Sequence, residues 1–334
     1  MLAFAPASAA PAPLSAALTL AGADLHRVDA LILKRVSTEI PMIREVARHI
    51  IASGGKRLRP LLTLLSAQAC GYHGDRHITL ASAIEFIHTA TLLHDDVVDE
   101  SRLRRGIATA NAVFGNKASV LVGDFLLSQA FALVVEDGSP ACLRILSDAA
   151  STIARGEVKQ LTIEGDLETS NERYLDVIAC KTAALFAAAC ELGAVTVESA
   201  RWREPLRVYG QALGTAFQLV DDALDYHADQ FQLGKEVGDD FREGKITLPV
   251  ILAYRRATAS EKVFWIKTLQ ERRQEEGDLA QAIALLRRHG ALEATLAEAR
   301  NFCARAAGAL SPLPESPHKA ALLEIVDFCV ERGY

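Results

Sequence analysis

Helical periodicity is the feature that most limits what this chain can fold into. From Asp24 onward, apolar residues recur at every third or fourth position almost to the end of the 334 residues. Runs of alternating apolar and polar residues, which would predict strands, are missing, and glycine (21) and proline (11) are sparse. The pattern predicts an all-α chain with a single domain over residues 24–334. Residues 1–23 are rich in alanine and proline, and we interpret them as a flexible tail.

Charge and cysteine content exclude several classes of function. The net charge of −6 provides no general basic field of the kind that nucleic-acid-binding proteins use. The six cysteines are scattered, without the short spacing of a zinc or redox site. The first 22 residues contain no lysine or arginine, so neither a secretory nor a mitochondrial targeting segment is indicated. We therefore expect a cytoplasmic protein with reduced thiols.

The most apolar stretch of the chain runs from Ala118 to Val135. It is interrupted by Gly123, Asp124 and Gln129, so we interpret it as a core helix rather than a membrane span.

One aspartate-rich pattern, DDxxD, occurs twice. The two copies are Asp95, Asp96 and Asp99, and Asp221, Asp222 and Asp225. On a helix, the first and last acids of each copy share a face, while the middle one is offset by about 100°. Three acids at a helix C-terminus repel one another and oppose the helix dipole unless a cation is nearby. Oxygen-only ligands of this kind suit Mg²⁺. A single copy would be equally well explained as a solvated acidic patch, but two copies that each follow an apolar helix indicate metal sites.

Helical spacing places polar residues in line with these acids. His88, Thr91, Asp95 and Asp99 form one stripe, and Gln218, Asp222 and Asp225 form another. If the remaining faces of both helices are buried, both acid clusters open into one cavity that is polar at its mouth and apolar below. Such a cavity fits an amphiphilic ligand.

Several short basic segments could complement an anion. They are GGKRLRP at 54–60, Arg104 and Arg105, Lys181 with Thr182, and the segment that carries Lys235 and Lys245. Taken alone, each basic segment is more simply explained as a solvated surface. The phosphate-binding pattern GxxxxGK[ST] is absent from the sequence. Together with two Mg²⁺-type clusters, these groups describe a site for two phosphorylated substrates.

The order and spacing of these motifs resemble the trans-prenyltransferases, or polyprenyl diphosphate synthases. The resemblance rests on the segments GGKRLRP, HTATLLHDDVVDESRLRRG, GDFLLSQAF, CKTAALF, GTAFQLVDDALDY and LGKEVGDDFREGKITLP, and it extends from about residue 24 to the C-terminus. One departure is Ile246, where many relatives have proline; we expect it to change only the entry to the next helix.

The resemblance implies the isoprenoid synthase fold, an antiparallel helical bundle around a deep central cavity that usually forms a homodimer. It also implies that Asp95, Asp99 and Asp221 hold three Mg²⁺ ions when substrate is bound, with Asp96, Asp222 and Asp225 in support. The reaction implied is the extension of an allylic diphosphate by isopentenyl diphosphate. The expected product is a long all-trans polyprenyl diphosphate, octaprenyl by the likeness to bacterial members, used for quinone side chains.

Individual residues take roles by the same resemblance. The allylic diphosphate is expected against Arg104, Lys181, Thr182, Gln218 and Lys235. Isopentenyl diphosphate is expected against Lys56, Arg59, His88 and Arg105. Ala90 and Thr91, about one helical turn before Asp95, and Phe131 further along the chain, are candidates for residues that set product length.

Three alternatives remain at the level of sequence. A class I terpene cyclase would share the fold and one DDxxD, but the second DDxxD and the basic groups argue against it. A noncatalytic subunit of a heteromeric synthase would usually lack some of these acids or cations, and none is missing here. A short-chain (C15–C20) synthase differs only in the depth of its tunnel.

Overall fold

Helices make up almost all of the regular structure in the described part of the chain. The computed structural model describes residues 14–331 except 53–54, 56, 105, 198–199 and 228–236. The α-helices are α1 (Ser15–Val36), α2 (Pro41–Ala52), α3 (Leu58–Ala69), α4 (Arg76–Val98), α5 (Ala110–Phe114), α6 (Asn116–Asp137), α7 (Pro140–Ile163), α8 (Asn171–Ile178), α9 (Ala184–Val195), α10 (Arg203–Leu224), α11 (Asp239–Arg242), α12 (Leu248–Arg256), α13 (Ala259–Trp265), α14 (Asp278–Arg288), α15 (Ala291–Ala309) and α16 (Pro317–Glu331). π-Helical turns cover Ala179–Ala183 and Ile266–Gln270, and a 3₁₀ turn covers Ala200–Trp202. The all-α prediction is confirmed.

The first helix begins earlier than the sequence led us to expect. The prediction of a flexible tail through residue 23 is wrong for residues 15–23, which form the first turns of α1. Ala17 and Ala21 lie four positions apart, so they share one helical face, and both are completely buried. The carboxylate of Glu324 in α16 accepts hydrogen bonds from the backbone N–H groups of Ala16 (3.3 Å) and Ala17 (3.1 Å). These contacts satisfy donors that an isolated helix start would leave open.

The helices that carry the two aspartate motifs are held by close packing with small residues. α10 packs against α9 and α15, while α4 packs against α6. A Cβ on Gly210 of α10 would lie 2.4 Å from the carbonyl oxygen of Phe186, and one on Gly214 would lie 2.7 Å from the Cα of Ala183. Gly210 and Gly214 therefore allow α10 to approach the backbone of the preceding helix.

A short hairpin follows the first aspartate motif. Strands β1 (Leu103–Arg104) and β2 (Ile107–Ala108) pair antiparallel, with Leu103 opposite Ala108 and Arg104 opposite Ile107. The sequence pattern indicated a charged loop here and did not predict a strand pair. Its function in the fold is to turn the chain back, so that Arg104 returns to the end of α4.

Two helical segments within the described residues are long and apolar enough, by length and composition alone, to cross a membrane. They are Asn116–Asp137 and Asn171–Val195, and the second is 67% buried within the structure. The first is only 44% buried, and its exposed side chains include Leu121 and Val135.

Candidate active site

The first aspartate motif closes α4 and divides its three acids between two roles. Asp96 is 1% exposed and accepts hydrogen bonds from Nη2 (2.7 Å) and Nε (3.0 Å) of Arg104. Asp95 and Asp99 are each 20% exposed and face lysines instead. Lys181 Nζ lies 3.9 Å from Asp95 Oδ2, and Lys245 Nζ lies 3.0 Å from Asp99 Oδ2. Asp96 therefore holds the hairpin against the end of α4 through Arg104, while Asp95 and Asp99 are accessible to an external cation.

Burial affects the ionisation of Asp95. Loss of hydration raises the pKa of this carboxyl to about 6, opposed by the positive charge of Lys181 and reinforced by the negative charge of Glu157. A partly buried carboxylate with this environment gains from a nearby cation more than a solvated one does.

The second motif ends α10 in a corresponding way. Asp222 is 2% exposed and accepts hydrogen bonds from Gln218 Nε2 (2.8 Å) and from the hydroxyl of Tyr174 in α8. Burial raises the pKa of Asp222 well above its ordinary value, and the charges of Asp240 and Asp225 act in the same direction. Asp225 accepts from the backbone N–H groups of Asp239 (3.2 Å) and Asp240 (3.1 Å). These bonds attach the start of α11 to the end of α10.

A π-helical turn between α8 and α9 presents Lys181 and Thr182. Such turns widen the helix locally and occur frequently at functional sites. The turn touches α7 at Gly156, where an added Cβ would lie 2.7 Å from the backbone nitrogen of Lys181. Glu157 Oε2 accepts from Lys181 Nζ at 2.7 Å. Thr182 donates to Gln218 Oε1 at 2.9 Å and so joins the turn to the second motif.

Lys245 connects the two motifs electrostatically. Its ammonium group lies 3.0 Å from Asp99 in the first motif and 2.6 Å from Glu243. Burial lowers the pKa of Lys245, but the charges of Asp240, Asp99 and Glu243 outweigh this effect and hold the pKa above its ordinary value. The lysine therefore remains charged between the two acid clusters.

A second group of cations lies where α3 meets α4. Arg59 Nη1 is 3.1 Å from His88 Nε2, and the Arg59 guanidinium lies 4.5 Å from the ring centre of Phe186. Burial lowers the pKa of Arg59 to about 10, while the charges of Glu85 and Asp221 act in the opposite direction. Arg59 therefore stays cationic near neutral pH and interacts electrostatically with Asp221 of the second aspartate motif.

The structure places most of the expected site residues in this one region. Those described are Asp95, Asp96, Asp99, Arg104, Lys181, Thr182, Gln218, Asp221, Asp222 and Asp225 around the two motifs, with Arg59 and His88 beside them. Lys56, Arg105 and Lys235 lie outside the described residues.

The residues expected to set product length differ in burial. Ala90 on α4 is 1% exposed and fully enclosed by its neighbours. Thr91 is half-buried, and its hydroxyl donates to the backbone oxygen of His88 at 2.9 Å. Phe131 on α6 is half-buried against the core. Their function in setting product length stays a prediction.

Sequence reasoning did not assign roles to four residues that contact the motifs or, in the case of Glu157, contact Lys181 beside them; the four are Glu157, Tyr174, Asp240 and Lys245. Lys245 was noted as a basic group, and its position shortly after Glu243 in the segment LGKEVGDDFREGKITLP is a usable signal. Glu157 follows a glycine in a helical pattern. The glycine indicates close helix packing, but nothing in the local sequence indicates Lys181 as the partner of Glu157. Tyr174 has no local signal at all.

The donor set of the two motifs fits a hard divalent cation, because it consists of carboxylate oxygens. Among the residues that the structure describes, no three acid, histidine or cysteine side chains converge as a complete metal cage. Asp95 and Asp99 instead contact or face lysine ammonium groups. A bound ion would therefore take few protein oxygens and complete its shell with water or diphosphate oxygens, which is the usual behaviour of Mg²⁺.

Comparison with known proteins shows consistent similarity over nearly the whole chain. A family model described as polyprenyl synthetase matches residues 40–286. Octaprenyl diphosphate synthase of Escherichia coli (strain K12) is 45% identical over 314 residues, covering 94% of this chain and 97% of that protein. An all-trans-nonaprenyl-diphosphate synthase (geranyl-diphosphate specific) of Rhodobacter capsulatus is 40% identical over 310 residues, covering 92% and 95%.

Solved structures show the same relationship in three dimensions. A polyprenyl synthase of Caulobacter crescentus, complexed with calcium and isoprenyl diphosphate, superposes with a TM-score of 0.93 at 47% identity, covering 98% of this chain and 100% of that one. A decaprenyl diphosphate synthase of Rhodobacter capsulatus superposes with a TM-score of 0.92 at 47% identity, covering 96% and 100%. The chain belongs to the polyprenyl synthetase family and has the isoprenoid synthase fold.

Proposed function

We propose that this protein is a trans-prenyltransferase that condenses isopentenyl diphosphate with an allylic diphosphate. The observation that carries the proposal is the meeting of two aspartate motifs with separate groups of cations. Lys181 faces Asp95 and Lys245 contacts Asp99. The negative charge of Asp221 stabilises the charged form of Arg59. Two anionic substrates can be accommodated by such an arrangement without a side-chain nucleophile.

Mg²⁺ is the proposed metal, with three ions expected when substrate is present and Asp95, Asp99 and Asp221 as the protein ligands. When bound, these ions neutralise the charge that develops on the departing pyrophosphate. The oxygen-only donor set supports this choice. The Caulobacter crescentus relative was solved in complex with calcium and isoprenyl diphosphate, which supports a divalent ion and a diphosphate as ligands of this fold.

The protein side chains hold and orient the two substrates. Lys181, Thr182 and Gln218, together with Arg104 and Lys235, would hold the oxygens of the allylic diphosphate. Arg59 and His88, with Lys56 and Arg105, would hold isopentenyl diphosphate. Breaking the allylic C–O bond leaves an allylic cation, which the isopentenyl double bond attacks. The proton lost from the new chain goes to pyrophosphate, so no protein base is needed.

For the product we propose all-trans octaprenyl diphosphate, the side-chain precursor of a respiratory quinone. The similarity to octaprenyl diphosphate synthase of Escherichia coli supports this length. A decaprenyl product is the second candidate, because the Rhodobacter capsulatus decaprenyl enzyme is 47% identical, against 45% for the Escherichia coli octaprenyl enzyme. We further propose that the protein acts in the cytoplasm as a homodimer, which subcellular fractionation and light scattering would test.

The deciding experiment is incubation of the purified protein with isopentenyl diphosphate, an allylic primer and Mg²⁺. Products are dephosphorylated and separated by reversed-phase chromatography. We expect octaprenol to dominate and a chelator to abolish the reaction. A mixture that ends at C15–C20 would contradict the chain length. Absence of any product longer than the primer would contradict the proposed activity and favour a noncatalytic subunit.

A further inference from the structure

Arg57 has an unusual backbone conformation at the start of α3. Its φ of 48° and ψ of 37° place it in the left-handed region, where residues with a Cβ are rare. An arginine keeps this conformation only where its surroundings hold it in place. In the sequence Arg57 stands between Lys56 and Arg59, both proposed to bind isopentenyl diphosphate. What holds Arg57 therefore bears on that site.

The side chain of Arg57 is held by two acids from other helices. Its Nη1 donates to Glu85 Oε1 of α4, and its Nε lies 3.3 Å from Asp29 Oδ1 of α1. The Arg57 and Glu85 side chains are only 16% and 6% exposed. Burial raises the pKa of Glu85, and the charge of Arg57 acts in the opposite direction. Because a buried charge without its partner is strongly unfavourable, each of these two groups keeps the other in position.

Glu85 and His88 pair with two arginines of the same segment. The two α4 residues are three positions apart, so they lie on one helical face. Glu85 binds Arg57, and His88 lies 3.1 Å from Arg59. The charge of Glu85 also acts favourably on Arg59. α4 therefore anchors the beginning of α3 at two successive points, of which only the second is expected to touch substrate.

We propose that Glu85 is a positioning residue for isopentenyl diphosphate, acting through Arg57. By holding Arg57 it fixes the backbone at the start of α3, and so sets where Arg59 meets the substrate. This inference rests on the proposed assignment of Lys56, Arg59 and His88 to isopentenyl diphosphate. Glu85 itself makes no contact with substrate or metal in this scheme.

The first test is Glu85→Gln, which keeps the shape of the side chain and removes its charge. Initial rates are measured with isopentenyl diphosphate varied at saturating primer and Mg²⁺, and then with the primer varied. We expect the KM for isopentenyl diphosphate to rise about tenfold, with kcat and the primer KM within about twofold of wild type. The control is Glu191→Gln, which breaks a more exposed pair between Glu191 of α9 and Arg203 (2.7 Å) at the start of α10, the end away from the second aspartate motif. It should leave both KM values unchanged.

A second variant separates the anchor from the fold. Arg57→Asn retains a residue that tolerates the left-handed conformation and removes the guanidinium. We expect the same rise in KM, and a double variant with Glu85→Gln no worse than either single one, because both changes remove one interaction. Calorimetric titration of isopentenyl diphosphate alone, without primer, should show the matching loss of affinity.

An unchanged KM and affinity for isopentenyl diphosphate in Arg57→Asn would overturn the inference. Equal effects on both substrates, with a lowered melting temperature, would also overturn it, since they would indicate a purely structural pair. Failure of the proposed activity is distinguishable, because it would appear as lack of turnover in the wild-type protein.

Discussion

Within each aspartate motif, burial separates acids that organise the protein from acids that face the cations. Asp96 and Asp222 are almost completely buried. Asp96 accepts hydrogen bonds from Arg104, and Asp222 accepts hydrogen bonds from Tyr174 and Gln218. Asp95 and Asp99 are more accessible and face lysines. Offset by about 100° from its neighbours, the middle acid points into the protein in both copies. One short pattern thus supplies both the acids proposed to bind metal and the hydrogen bonds that hold the helix ends.

Replacement of the accessible acids should abolish turnover without unfolding the protein. For Asp95→Ala and Asp221→Ala we expect kcat to fall at least about 100-fold, because several kcal/mol of charge stabilisation is lost. Steady-state rates at saturating Mg²⁺ measure this, with circular dichroism as the check on folding. Asp148→Ala is the control, since Asp148 is 72% exposed on α7 and belongs to neither motif. Turnover within about threefold of wild type in either motif variant would contradict the metal assignment.

Among the elements, the π-helical turn matters most for the site, because it brings Lys181 toward Asp95. The turn can approach α7 only because residue 156 lacks a Cβ. Glu157, the next residue on α7, then reaches Lys181. Gly156 makes the backbone contact with the π-helical turn, and the adjacent Glu157 makes the ion pair with Lys181. The position of the turn and the position of its lysine therefore depend on each other.

Gly156→Ala should therefore damage both stability and catalysis. The new Cβ would lie 2.7 Å from the backbone nitrogen of Lys181 and 2.9 Å from the Cβ of Cys180, so a helix must shift. We expect a loss of about 1–3 kcal/mol in the free energy of unfolding, and a raised KM for the allylic diphosphate. Gly22→Ala is the control, because Gly22 lies within α1 with no atom within 4 Å of the added carbon. That change should be neutral or stabilising, by up to about 1 kcal/mol. Equal denaturation midpoints for the two variants would contradict the packing argument.

We expect the face of α4 that carries Asp95 to influence product length as well. Thr91 is half-buried and shares the helical stripe of Asp95, whereas Ala90 is enclosed. We expect Thr91→Phe and Ala90→Phe to shorten the product toward C15–C20 while the first condensation remains active. Ala90→Phe should in addition lose about 1–3 kcal/mol of stability through overpacking. Phe131→Ala should lengthen the product.

Chromatography of dephosphorylated products at matched substrate ratios measures these changes, with wild type as the reference. An unchanged product from both α4 variants would mean that the growing chain does not pass this face. The proposed tunnel would then have to follow another helix.

At the scale of the whole molecule, local sequence patterns predicted which side chains share a helix face. They did not predict contacts between residues that are far apart in the sequence. The 3.6-residue period predicted the helices, and the spacing of Gln218 and Asp222 predicted one stripe, which their hydrogen bond confirms. The bond from Tyr174 to Asp222 spans 48 residues, and that from Lys245 to Asp99 spans 146. Periodicity says which way a side chain faces, but not which of many distant groups meets it. The early start of α1 was missed for the same reason, since Glu324 of α16 completes its first turn.

The apolar surface on α6 and α7 leads to a prediction about assembly. Leu121 and Val135 of α6 are 67% and 63% exposed, and Val158 and Leu161 of α7 are 63% and 56% exposed. Exposed large apolar side chains on two consecutive helices commonly mark an interface, and they suit a symmetric contact between two copies. We expect the wild-type protein to have twice the monomer mass by multi-angle light scattering. Leu121→Glu should shift it to the monomer, because an unpaired charge would be buried at the contact. Val263→Glu, at a site on α13 with 66% exposure, should leave the mass unchanged. A dimer that persists in Leu121→Glu and in Leu161→Glu would place the contact on another face of the molecule.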